Sequence, residues 1–537
     1  MLFLLALACK HPADDVETGA VDTDDTTPPV LSEDDLAAIA AAVDTDLGAS
    51  LASGCQIAVW KDGAIVYTAE FGKADPTDLV KLVTADMLFQ IGSDTKKLTA
   101  LALLQQEQAG TLARTDTVAD AIPGLTLAAS PEWAEAATLH DLISHQGGLY
   151  DDTPWDDNPA DTYLHDRAFG TFAENEWQMA PPGAMWNYSN ANFSVAGLAV
   201  ETAAGKPYAD VLEQDIFAPL GMTRTFARKA EVVADGNYAI GKGYTGSSAD
   251  PYDPFFGASN YVEGRAAMED VADNAFTRPA GLVWSTASDM ASYGGFLIDG
   301  NPDVIDAERL AALSTPQVRM YPALDAQQYG YGLMIYDGVT LFDGYHDMRV
   351  WSHGGNTLSF TSTTWMLPDQ HVSISILSNG YGDDFTPTAV ELMMRLGDLP
   401  PVTDAPPLPS AETAHAALVG TYVDPYIGEM IITDNDGELR IFIPGLVDAG
   451  LSANGAKLTL ALTDVYTFRF GGSTYDVTFV ADDAGTYTWI RNRTVVGTRQ
   501  TAFTKHAAPT RTRTREEQLI ALAEMRAAQR FTPWATR

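Results

Sequence analysis

Ser93-Asp94-Thr95-Lys96 sets a hydroxyl three residues before an amine. Downstream, Leu98, Leu101, Ala102 and Gln105 recur at helical spacing, with no Pro or Gly until Gly110, so the tetrad opens a helix and its two functional side chains share a face. A neutral lysine in that position can accept the serine proton, and the first turn's dipole and free N–H groups favour an oxyanion beside the serine. Two more segments have chemical character. Tyr188-Ser189-Asn190 follows Pro181-Pro182-Gly183 and Trp186-Asn187, a loop setting that can turn a phenol and an amide into a cleft. His353-Gly354-Gly355 stands just before an apolar run from Phe360, and its glycines let a ligand approach the backbone. Each segment alone is more often structural: a helix start, a packed loop, a turn.

Other candidates carry less. His145, in Ser144-His145-Gln146, could be a base but reads better as a hydrogen-bonded turn histidine and is left out of the site. Asp434-Asn435-Asp436-Gly437 starts like a calcium loop, lacks the remaining ligands and fits a hairpin turn. Asp151, Asp152, Asp156 and Asp157 around Trp155 could hold a cation or form a lid, with a solvated acidic loop as the heavier reading. No Gly-x-Ser-x-Gly elbow and no Cys/His cluster at zinc spacing occurs, so neither a metal nor a cofactor is expected.

Together and in this order, Ser93-x-x-Lys96, Tyr188-x-Asn190 and His353-x-Gly355 resemble the signatures of the penicillin-recognising serine hydrolases: class C β-lactamases, D-peptidases and family VIII esterases. Further segments that accompany those signatures run Leu142 to Leu149, Gly281 to Met290 and Tyr329-Gly330-Tyr331-Gly332. The resemblance spans residues 33 to 400. It implies that Ser93 is the acylated nucleophile and that Lys96 and Tyr188 take its proton and pass it to the leaving group. It further implies that Asn190 orients substrate and lysine, and that His353 and Gly355 support Tyr188 and the substrate's anionic end. The backbone N–H groups of Ser93 and Asn356 would form the oxyanion hole. His353 and Gly354 stand where the β-lactamase branch has Lys and Thr, which removes a permanent cation and a hydroxyl. D-peptide or ester hydrolysis is therefore favoured over β-lactam turnover; a weak β-lactamase and a non-catalytic binder of peptidoglycan peptides are the alternatives.

The positioning elements follow from patterning. A capping pair Ser32/Asp35 opens a helix, Ile57–Trp60 and Ala64–Tyr67 flank a hairpin turn, and strands at Phe360–Met366 and His371–Leu377 precede a helix from Thr388 to Leu396. The expected architecture is α/β (α+β): an antiparallel sheet flanked by helices plus a helical subdomain, of β-lactamase/transpeptidase-like type, at residues 32–399. A Pro-rich linker (400–412), a small β-barrel or sandwich (413–506) and a helical tail (507–537) follow.

A net charge of −40 over 537 residues repels phosphate backbones, so nucleic acid is not an expected partner. The expected partner is a small-molecule or peptide substrate bound by a monomer. The apolar stretch Leu2–Ala8 ends at Cys9 and resembles a lipoprotein signal (residues 1–9), although no Lys or Arg precedes it. Lipidation of Cys9, with residues 10–31 as a disordered acidic spacer, would place the protein at the cell envelope, the membrane touched only through that anchor. A plain cleaved signal is the alternative. Cys55 is then a free, buried thiol, and no disulfide framework exists.

Overall fold

The computed structural model describes residues 31–500 apart from 79, 130, 152, 176–177, 246–261, 383, 410–411, 425–426, 448–450, 471–472 and 494. Cys9, the acidic spacer to residue 30 and the tail at 507–537 lie outside the described residues. Among the described residues no helix is long and apolar enough to cross a membrane.

Ser32 caps α1 (Glu33–Ala49): its Oγ accepts from the Asp35 N–H at 3.1 Å while the Asp35 carboxylate accepts from the Ser32 N–H at 3.0 Å. Next, β1 (Gly54–Lys61) and β2 (Ala64–Gly72) join through Asp62-Gly63, both at positive φ, a turn whose twist matches the strands it connects. The first large sheet is completed by β3 (Val318–Arg319), β4 (Gln327–Tyr329), β5 (Met334–Thr340), β6 (Tyr345–Asn356), β7 (Thr361–Leu367) and β8 (Val372–Ser378). Its order is β2-β1-β8-β7-β6-β5-β4-β3, all antiparallel. Cys55 pairs with Ser378 and Lys61 with Val372, so segments from opposite ends of this domain share one sheet, as their patterning requires.

Each face of that sheet is covered. On one side Ile39 and Val43 of α1 and Val390 and Leu392 of α5 (Thr386–Leu396) bury Ile57, Val59, Trp365 and Ile374. On the other lies α4 (Ala287–Asp299), held close by two glycines: a Cβ on Gly294 would sit 2.0 Å from Ser373 Oγ, and one on Gly295 2.3 Å from the Trp60 ring. Beyond it, α2 (Thr95–Ala109) and α3 (Asn190–Ala204) pack Leu98, Leu101, Phe193 and Leu198 into a helical core shared with Trp284 and Phe360.

The Pro-rich segment after residue 399 differs from a free linker. Its Val402–Thr403 forms β9, paired with His346 and Tyr345 of β6, and its Pro409 carbonyl accepts from Thr463 N–H at 3.2 Å. Proline cannot donate but still accepts: the Pro400 carbonyl lies 2.7 Å from His346 Nδ1 of the first domain, as Pro409 meets Thr463 of the second.

The C-terminal domain is one nine-stranded antiparallel sheet: β10 (Gly420–Asp424), β11 (Gly428–Asn435), β12 (Glu438–Phe442), β13 (Ala456–Lys457), β14 (Thr459–Leu462), β15 (Val465–Phe470), β16 (Ser473–Ala481), β17 (Tyr487–Asn492) and β18 (Val495–Arg499). Its order, β13-β12-β11-β10-β18-β17-β16-β15-β14, curls barrel-like around Tyr422, Ile441, Tyr466, Phe479 and Ile490. Asp434–Gly437 is the β11/β12 hairpin turn, with Asp436 and Gly437 at positive φ and Asp434 Oδ1 accepting from Gly437 N–H at 2.7 Å. The barrel docks on the first domain through Val480, Trp489 and Val496 against Tyr150, Met179 and Met185.

Candidate active site

Ser93 sits in a tight turn, Gly92–Asp94, that leads into α2, so Ser93 and Lys96 lie on one face across the first turn of helix. The turn is anchored from below: Asp94 pairs with Lys97 at 2.6 Å and accepts from Thr364 Oγ1 at 2.5 Å, all buried. Gly92 has φ +53, and a Cβ there would lie 2.7 Å from the Asn356 N. Gly355 is matched to it, since its own Cβ would lie 2.0 Å from the Ile91 carbonyl and 2.5 Å from the Ser93 N. The end of β6 therefore rests directly on the serine turn, which brings the Asn356 and Ser93 backbones together.

Lys96 is fully buried, and its Nζ meets Ser93 Oγ at 3.1 Å, Asn190 Oδ1 at 2.6 Å and the Ala280 carbonyl at 2.7 Å. Among the described residues all three partners are neutral. Burial pushes Lys96 well below the ordinary lysine range, the Arg493 charge adds to this, and Asp151 opposes it. A neutral amine has two N–H groups and one lone pair; Asn190 Oδ1 and Ala280 O accept the two hydrogens, which leaves the lone pair facing the Ser93 hydroxyl. Tyr188, whose ring lies 4.8 Å from Lys96 Nζ, moves the other way: burial raises its phenol, with Arg493 and the neighbouring Ser93 hydroxyl working against the rise.

Asn190 opens α3. Its N–H donates to Asp151 Oδ1 at 2.6 Å and its Nδ2 to Thr153 Oγ1 at 2.7 Å, so the amide oxygen is left aimed at Lys96. The Tyr329-Gly330-Tyr331-Gly332 segment lies behind this group, a Cβ on Gly332 falling 2.7 Å from the Lys96 carbonyl.

His353 stands in β6 opposite Thr364 of β7. Its ring is fully buried, with Nε2 3.3 Å from the Tyr329 hydroxyl and Nδ1 2.6 Å from its neighbour's carbonyl, Gly354 O. Burial, the largest cause, holds it well below the usual histidine range. His145 is the hydrogen-bonded turn histidine expected of it, and it also borders the site. It does adopt the left-handed turn (φ 58), but its ring packs 4.2 Å from Tyr188, and its Nδ1 accepts from the Ser189 N–H at 3.2 Å. It shapes the floor under the phenol.

Of the acidic loop, Asp156 and Asp157 are exposed, whereas Asp151 is buried and binds Arg493 Nε at 2.8 Å. The solvated reading fails for Asp151 because the barrel brings a guanidinium to it. That guanidinium also lies 4.5 Å from the centre of the Tyr188 ring. Neither Arg493 nor Asp151 has a motif around it.

A family model described as Beta-lactamase matches residues 39–394. The chain belongs to the beta-lactamase family. Among curated relatives, it is 27% identical over 379 residues to penicillin-binding protein 4 of Amycolatopsis lactamdurans, covering 69% of this chain and 92% of the relative. It is 24% identical over 433 residues to a D-aminopeptidase of Brucella anthropi, covering 79% and 73% of the two chains. Among solved structures, SurE superposes with TM-score 0.62 at 21% identity, covering 87% of this chain and 99% of that one. The fold of the family is the one described above, and the protein is a serine hydrolase of this family.

Proposed function

We propose that this family member hydrolyses amide or ester bonds through an acyl-Ser93 intermediate, and that its substrates are D-configured peptides or simple esters rather than β-lactams. The carrying observation is the buried Lys96 contact set, in which Nζ meets two neutral acceptors, Asn190 Oδ1 and the Ala280 carbonyl, and Ser93 Oγ. Lys96 takes the Ser93 proton as Oγ attacks the carbonyl, and the backbone N–H groups of Ser93 and Asn356 receive the oxyanion. The Tyr188 phenol passes a proton to the leaving amine or alkoxide, with Lys96 reprotonating it. A water then attacks the acyl-serine and releases the acid. His353, neutral and enclosed, leaves the third motif without the cation that a β-lactam carboxylate would meet, which supports the peptidase or esterase reading; so does the likeness to a D-aminopeptidase.

The test is intact-mass spectrometry of wild type and Ser93→Ala after a fluorophosphonate, followed by turnover of D- and L-alanyl anilides, a short-chain aryl ester and a chromogenic cephalosporin. The expected result is a fluorophosphonate adduct lost in Ser93→Ala, with D-anilide or ester turnover exceeding that of the cephalosporin. Faster cephalosporin turnover would replace this reading with a β-lactamase, and an unlabelled, folded wild type would remove it.

A further inference from the structure

The tip of the β17/β18 hairpin reaches out of the barrel and into the acylation centre. It is held on both sides: Asn492 Nδ2 donates to the Asp476 carbonyl at 2.7 Å within the barrel, and Asn187 Nδ2 of the first domain donates to the Arg493 carbonyl at 2.7 Å. Arg491, from the same hairpin, lies 5.3 Å from the Trp186 ring and donates to the Met320 carbonyl. Between these fixed points the Arg493 side chain, 17% exposed, covers the Tyr188 ring and pairs with Asp151, which is 4% exposed. Asp151 in turn uses its other oxygen to hold the N–H of Asn190, whose amide oxygen holds Lys96. A continuous polar path thus runs from the barrel to the base.

We propose that Arg493 is a positioning residue of the acylation centre, supplied by the second domain, which with Asp151 holds Tyr188 and Asn190 in place and sets the charge balance in which Lys96 receives the Ser93 proton. The proposal rests on the acyl-serine reading above. It makes the barrel a component of the active site.

The charged and titratable groups around Lys96 allow the signs to be worked out. From its own helix come Ser93 and the self-matched pair Asp94–Lys97; from α3 and the loop before it, Asn190 and Tyr188; from the floor, His145; from β6, His353; and from outside, Arg493 and Asp151. Burial, the largest cause for both, holds the two histidines well below the usual range, so the adjustable charges are Arg493, which disfavours the ammonium form of Lys96, and Asp151, which favours it.

The test is the second-order rate of Ser93 modification by a fluorophosphonate from about pH 5 to about pH 10 in the full chain. Removing the cation with Arg493→Gln should move the rising limb of the profile to higher pH, by roughly 0.5–1 unit. Removing the anion with Asp151→Asn, which keeps the acceptor for the Asn190 N–H, should move it to lower pH. Arg493→Lys should restore a near wild-type profile. A hairpin that merely packs would lower both rates without moving the limb in opposite directions. Superimposable profiles, or shifts of the same sign, in variants that melt like wild type overturn the proposal while leaving the acyl-serine reading intact; an unlabelled wild type overturns both.

Discussion

Gly355 and Ser93 touch backbone to backbone, so closely that a Cβ on the glycine would lie 2.5 Å from the serine N and 2.0 Å from the Ile91 carbonyl. Neither obstacle is the end of a flexible side chain. The only escape for Gly355→Ala is to lift the end of β6 off the serine turn, which separates the Asn356 and Ser93 N–H groups. Fluorophosphonate labelling of Gly355→Ala should fall about 100-fold or more, as expected for ångström-scale misplacement, with a stability loss of ~1–3 kcal/mol. Gly354→Ala is the control: its Cβ would meet only the Ser362 carbonyl, at 3.0 Å, and its rate should stay within about tenfold of wild type, the range set by a modest shift. Equal losses in the two variants would show that the contact at Gly355 is not what organises the oxyanion site.

The two buried histidines make stability fall as acid is added. Burial lowers both His145 and His353 in the folded chain, so between the unfolded value near 6.5 and the depressed folded values the unfolded chain binds more protons. Stability then decreases as pH falls through that window, by about 1.4 kcal/mol per unit for each histidine. Glu213, raised to about 7 mainly by burial, opposes this trend, so the informative quantity is a difference between variants. Melting curves of His145→Asn, which suits the left-handed backbone there, should show a shallower loss than wild type from about pH 6.5 to about pH 5. A parallel loss would mean that His145 is already protonated in the native state.

Cys55 lies in β1 with no exposed surface, and burial together with the Asp46 charge raises its thiol far above the ordinary range. The thiolate needed for alkylation is thus scarce as well as enclosed. Peptide mapping after iodoacetamide should find Cys55 unmodified in the native protein and fully modified in denaturant. Native modification at a rate near that of a free thiol would contradict the placement of β1 inside the sheet.

What could be seen in the sequence was whatever local spacing encodes. Ser93 and Lys96 share a face because three residues make nearly one helical turn, Gly110 ends α2 in the left-handed conformation, and Asp62-Gly63 and Asp436-Gly437 turn their hairpins. Arg493 was not legible. It occupies a hairpin tip, where an arginine reads as solvated, and only the docking of Trp489 and Val496 on Met179 and Met185 carries it inward. Asp151 reads as solvated for the same reason: its partner, Arg493, belongs to another domain. A turn histidine such as His145 carries no local sign of which ring it will meet, and β9 is hidden by the prolines around it.

The adjacent lysines of α2 should respond to the same substitution with opposite signs. Both are buried, but Lys97 is matched by Asp94 at 2.6 Å, whereas the hydrogen-bond partners of Lys96 among the described residues are a hydroxyl, an amide oxygen and a carbonyl. Lys97→Met leaves the Asp94 carboxylate buried without its cation and should cost ~3–5 kcal/mol, most of it recovered when Asp94→Leu is added. Lys96→Met removes an amine whose charged form burial disfavours, so the protein should be as stable as wild type or more so by ~0.5–2 kcal/mol. Its rate of Ser93 acylation should meanwhile fall about 100- to 10,000-fold. Because the folded value of Lys96 is depressed, the unfolded chain binds the extra proton at neutral pH, and the gain from Lys96→Met should shrink as pH rises towards the ordinary lysine value. Denaturant titrations at neutral and alkaline pH measure this directly. If Lys96→Met instead destabilises the protein as severely as Lys97→Met, Lys96 is a structural cation with a counter-charge, and the proton of Ser93 must go elsewhere.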